Sequence, residues 1–100
     1  MSEKIVVAVD KDLEEIMPMF LDNRQKDLVK LATALEENDL KTIEVIAHKL
    51  AGNAGSYGLT DLSELGAELE GQVIDKNIEN VSKLINAYKE YMLHLEISFE

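Results

Sequence analysis

Apolar residues return every three or four positions along most of this chain, the period of a helix that buries one face. One such stripe does not stop where it should. "AHKLAGNAGSYGL", residues 47–59, holds three glycines in seven positions and would read alone as a loop. At about 100° per residue, however, Ile43, Ile46, Ala47, Leu50, Ala54 and Tyr57 fall on one face. The phase therefore predicts a helix that runs through the glycines and closes at Gly58, where a left-handed residue can end it.

The remaining stripes complete the pattern. Phe20, Leu21, Leu28, Leu31, Ala32 and Leu35 keep helical spacing up to "EEND", and Pro18 either opens that helix or kinks it. Asp39 is a good N-cap for the glycine-containing helix, and Thr60 for the next, whose stripe is Leu62, Leu65, Leu69 and Val73. Gly66 lies beside that stripe, where it lets a neighbouring helix come close. After "DKN", Ile78, Val81, Ile85, Tyr88, Met92, Leu95 and Phe99 predict a last helix reaching almost to the end. Asp10 or Asp12 can cap a short additional N-terminal helix, and "IVVAV", lacking a visible partner, reads as an irregular or extended arm over residues 1–9. The expectation is an all-α, antiparallel up-down-up-down four-helix bundle in one domain spanning residues 1–100.

Composition narrows the function. Twenty acidic against ten basic residues give a formal charge of −10, which argues against nucleic acid or a bare anionic membrane as partner. No cysteine is present, which fits a reducing cytoplasm. "IVVAV" is too short for a signal core or a membrane span. Between Leu40 and Thr60 the only charged residues are Lys41, Glu44 and Lys49, a slightly positive island in an acidic molecule.

That island holds His48, which points roughly 120° from the apolar centre of its helix and so stands at the surface. Gly52 and Gly55, four and seven residues on, share its outward face. They give up about 0.5–1 kcal/mol of helix stability each and clear the imidazole for a second macromolecule. Val45 adds apolar surface one turn earlier, and Lys41 and Lys49 add positive charge. His48 lies ten residues before Gly58 and Glu70 twelve after it, nearly level if the two helices form an antiparallel hairpin. A carboxylate there can bond one ring N–H and leave the other nitrogen as an outward nucleophile. His94 faces away from its helix's stripe and is expected to be inert. The bland readings are solvated lysines, one more surface acid at Glu70, and structural glycines at Gly58 and Gly66.

These residues resemble the histidine-containing phosphotransfer (HPt) family. Its pattern places a histidine, an apolar residue two on, a basic residue three on, glycines four and ten on, a leucine fourteen on, and an apolar–Glu pair at twenty-one and twenty-two. Here these are His48, Leu50, Ala51, Gly52, Gly58, Leu62, Leu69 and Glu70; Ala51 departs from the basic residue expected. The resemblance implies a phosphoacceptor histidine, His48, with Glu70 orienting it and Lys49 standing in for the missing charge. Lys41, Val45, Gly52 and Gly55 would then meet the partner, a receiver domain of a response regulator or hybrid kinase. It implies no cofactor of this chain's own, the Mg²⁺ being the receiver's, and a carrier, not an enzyme; a monomer is the simplest expectation because the four stripes can satisfy one another. Nothing in the sequence resembles an ATP-binding glycine loop. Two other readings stay open: an adaptor bundle without phosphotransfer, and a detached phosphotransfer domain of a chemotaxis-type kinase.

Overall fold

The computed structural model describes residues 4–100. Four helices carry most of them: α1 (Met17–Glu36), α2 (Leu40–Asn53), α3 (Thr60–Ile74) and α4 (Ile78–His94). Each packs on the next, and α1 packs on α4, so the helices close around a shared core. No helix among the described residues is long and apolar enough to cross a membrane.

The core follows the stripes at most positions, but Ala32 is exposed with Ala34 buried in its place, and Ile78, in the first turn of α4, stands 40 % exposed. Leu31, Ile43, Ala47, Leu50, Leu62, Leu69, Val81 and Tyr88 are all but sealed from solvent, while Leu65 and Tyr57 are half-buried at its margin. Pro18 lies in the first turn of α1, so it starts that helix and does not kink it. The turn before α2 passes through Asn38 at φ 60° and the turn before α4 through Lys76 at φ 58°. Asp39 then caps α2 and Asn77 caps α4, each accepting from a backbone N–H three residues on.

A partly buried polar network links α1 to α4. Arg24 Nε donates to Asp27 Oδ2 at 2.8 Å, and the Tyr88 hydroxyl donates to the same oxygen at 3.3 Å. The Arg24 guanidinium lies 4.6 Å from the centre of the Phe20 ring, which stacks on Tyr57 at 4.1 Å. Burial, reinforced by the Asp27 charge, pushes the Tyr88 phenol far up, so it remains a donor.

The two chain ends depart from the sequence reading. Ile5–Val9 is not an irregular arm but strand β1, and α4 stops at His94, giving way to strand β2 (Leu95–Phe99). The two pair in parallel, from Ile5 with Leu95 to Val9 with Phe99, with the whole bundle as the crossover between them. Ile5, Val7 and Val9 turn inward against the core while Val6 and Ala8 face out. Leu95 and Phe99, four apart, fit a helix stripe equally well, but Ile97 between them shows the two-residue period of a strand. Residues 1–3 of the expected arm lie outside the described residues. In place of a short N-terminal helix there is one 3₁₀ turn, Lys11–Leu13, where Asp10 accepts from the Asp12 N–H. Thr60 does not cap α3 either: Leu59 occupies the cap position with no side-chain bond, and Thr60 is the first helical residue.

Candidate functional site

The glycine stretch stays helical but tightens. After Asn53 the chain continues as a 3₁₀ turn, Ala54–Tyr57, and ends at Gly58 with φ 81°. The Leu59 N–H returns to the Ala54 carbonyl at 3.0 Å, and a side chain at Gly58 would be strained by that backbone. The chain turns sharply there, and α3 packs against α2.

Three contacts then set how α2 and α3 lie together. The Ser63 hydroxyl donates to the Ala51 carbonyl at 2.5 Å. A Cβ placed on Gly66 would stand 2.7 Å from the Ala51 amide nitrogen and 3.0 Å from the Ala47 carbonyl oxygen, so only glycine permits this approach. One turn further along α3, Glu70 Oε2 lies 2.9 Å from His48 Nδ1. A carboxylate can only accept, so Nδ1 is the donor, and in the neutral ring the lone pair is then on Nε2.

His48 is 74 % exposed in its side chain, whereas Glu70 is only 27 % exposed, lying between the helices. Such a bond at the surface adds little stability; its consequence is orientation. The ring is held at one nitrogen and open to solvent around the other. Asp39 sets the start of α2 through the Thr42 hydroxyl at 2.6 Å and the Thr42 N–H at 3.2 Å. Those bonds, the side-chain one first, hold its carboxyl below the usual range.

The other expected site residues divide. Val45 and Lys49 are exposed on the same stretch of helix as His48. A Cβ at Gly52 would meet nothing within 4 Å, so that face is open. Gly55 is also exposed, though a Cβ there would lie 3.7 Å from the Ser63 hydroxyl, at the edge of α3. Lys41 is exposed but lies 3.7 Å from Glu44 Oε1, which offsets its charge. Ala51 is half-buried and its carbonyl is taken by Ser63. His94, expected to face away from its stripe, is partly covered, with Nε2 3.2 Å from Glu90 Oε2.

One feature escaped the sequence. Beside the glycine stretch a groove of about 380 Å³ opens between the start of α1 and the end of α2, with Ile16, Met19 and Asn23 facing Asn53 and Tyr57. Ile16 and Met19 are largely exposed. Two apolar residues flanking Pro18 and left out of the buried stripe were the available signal. Among the described residues, no three His, Asp or Glu side chains gather as a metal would require.

A family model of the Hpt domain matches residues 15–96. The chain belongs to the Hpt domain family. No curated protein and no solved structure matched it. Hpt domains are histidine phosphotransfer modules of phosphorelay, or two-component, signalling; they carry phosphoryl groups, are not themselves kinases, and interact with receiver domains. The matched span takes in all four helices and stops short of most of the β1–β2 sheet.

Proposed function

We propose that this Hpt domain carries a phosphoryl group on Nε2 of His48, exchanging it with the aspartate of a receiver domain. The carrying observation is the exposed imidazole whose Nδ1 is bonded to Glu70 at 2.9 Å. In the forward step the Nε2 lone pair attacks phosphorus in line. The N–P bond forms as the bond from phosphorus to the aspartyl oxygen breaks, and the receiver's carboxylate leaves with that electron pair. The ring gains positive charge while its Nδ1 keeps the proton, and the Glu70 carboxylate lies where that charge develops. The reverse step returns the group by the same path.

Lys49 stands in this reading where the absent basic residue at position 51 would have acted, as a contact for the phosphoryl oxygens. Val45, Gly52 and the groove at Ile16 and Met19 form the docking face, and Lys41, paired with Glu44, stands at its margin. Gly55, exposed beside Ser63, lies at the edge of that face. The divalent cation belongs to the receiver. The pairing of Ala51 with Ser63 and of His48 with Glu70 supports an antiparallel up-down-up-down order of the helices. A monomer in the cytoplasm is the simplest form of such a carrier.

The test is incubation with a phosphorylated receiver and Mg²⁺. The wild-type chain should take up an acid-labile, base-stable label. His48→Gln should not, while keeping its helical circular dichroism, and His94→Gln should label normally. Normal labelling of His48→Gln would overturn the assignment.

A further inference from the structure

The β1–β2 sheet lies outside the machinery described so far, and one of its edges is open. The Glu100 N–H donates to the Val9 carbonyl at 2.9 Å, so the Val9 backbone faces β2. By the two-residue alternation of a strand, Val7 and Ile5 face the same way. The N–H and C=O groups of Val6 and Ala8 therefore point to the opposite side. Among the described residues no backbone or side-chain group bonds them. A two-stranded sheet with such an edge is a template for another strand.

What adjoins that edge is built like a receptor. A groove of about 280 Å³ runs beside Val6–Ala8, with Gly58, Thr60, Asp61 and Tyr91 as its other wall. Tyr91 is only 8 % exposed, and its hydroxyl is buried without a hydrogen-bond partner. Burial raises the Tyr91 phenol above its ordinary pKa, and the Asp61 charge adds to this, which places that carboxylate within electrostatic reach of the hydroxyl.

We infer that the outer edge of β1 binds an extended peptide segment as a third strand, with a basic side chain of the segment meeting Asp61. Main-chain bonds to Val6 and Ala8 supply affinity, and the groove supplies selectivity. The sign of the partner follows from Asp61 and from the chain's net charge of −10. Val6, 63 % exposed on the outer face, offers apolar cover to the added strand. A second copy of this chain suits the edge less well. Antiparallel pairing of two β1 edges about a two-fold axis would bring two α3 first turns together, each with its Asp61.

The experiment is an NMR titration of the full chain with two end-capped probe peptides, Thr-Val-Arg-Val-Thr and Thr-Val-Glu-Val-Thr. The arginine peptide should give saturable shifts at the Val6 and Ala8 amides and at Tyr91. The glutamate peptide, or the arginine peptide with Asp61→Asn, should bind about tenfold more weakly, the scale of one lost charge contact. Ala8→Pro removes a donor that faces the groove and no rung of the β1–β2 ladder, so it should keep the fold and lose the shifts. Val6→Pro is the second such variant, read in the same way if Ala8→Pro does not fold. His48→Gln should bind like wild type, which separates this surface from the phosphoacceptor. Absence of saturable shifts at Val6 and Ala8, or shifts undiminished by the edge prolines, would overturn the inference, as would equal binding of the glutamate peptide.

Discussion

Gly66 meets the backbone of Ala51 so closely that a methyl group there would stand 2.7 Å from the Ala51 nitrogen. This contact sits one turn of α3 from Glu70 and one turn of α2 from His48, and so governs how near the carboxylate comes to the ring. Backbone cannot give way as a flexible side chain can, so Gly66→Ala must push the helices apart. The expected cost is about 1–3 kcal/mol of stability, read by denaturant unfolding, together with slower phosphotransfer as Glu70 is drawn from Nδ1.

Gly52 predicts the reverse. With nothing within 4 Å of its Cβ position, Gly52→Ala should stabilise α2 by about 0.5–1 kcal/mol. Transfer from a phosphorylated receiver should nevertheless slow, because a methyl now stands beside the docking imidazole. A stabilised variant with unchanged transfer rate would show that the clearance has no functional role.

Glu70→Gln keeps an acceptor at the same place and removes its charge. Thermal stability should change little, since the bond is at the surface. The fraction of His48 protonated at Nδ1 should fall, measurable from the two ring ¹⁵N shifts, and the phosphotransfer rate should drop while labelling persists. Unchanged ring shifts would show that Glu70 does not set the tautomer.

The Asp39 cap gives a pH dependence of definite sign. Its bonds to Thr42 hold the folded carboxyl below its unfolded value, so the stabilisation is present above the unfolded pKa and is lost as pH falls through the folded one. Asp39→Ala should lower the unfolding midpoint at pH 7, and the gap from wild type should close in acid below the carboxylate range. A gap that persists there would place the effect elsewhere than in the charged cap.

Removing residues 96–100 tests the sheet. The deletion uncovers Val9 and takes away Ile97 and Phe99, partly buried against the core. Stability should fall on the order of 3 kcal/mol, measured by chemical unfolding. Labelling of His48 should continue, since every contact that orients the ring lies within α2 and α3.

Much of the site was legible because its contacts are local in a helical hairpin. His48 and Glu70 lie nearly equal distances from Gly58, and once the stripe carried the helix through the glycines, their bond followed from helix geometry. Gly55 is exposed as its phase implies, but its neighbour Ser63 belongs to the next helix and is not announced by periodicity. The edge strands were missed for a different reason. Ile5 pairs with Leu95, and no short-range pattern announces a partner at the far end of the chain.

By itself the order of residues determined the four amphipathic stripes, the reversal at Gly58 and the outward aim of His48, because each depends on periodicity or on one residue's backbone freedom. The tertiary structure alone decided the pairing of the chain ends, the nearness of Gly55 to Ser63, the groove at Ile16 and Met19, and the unpaired edge beside Tyr91. Those depend on which surfaces meet in space, and a free-energy balance over the whole core settles that, not the preference of any single segment.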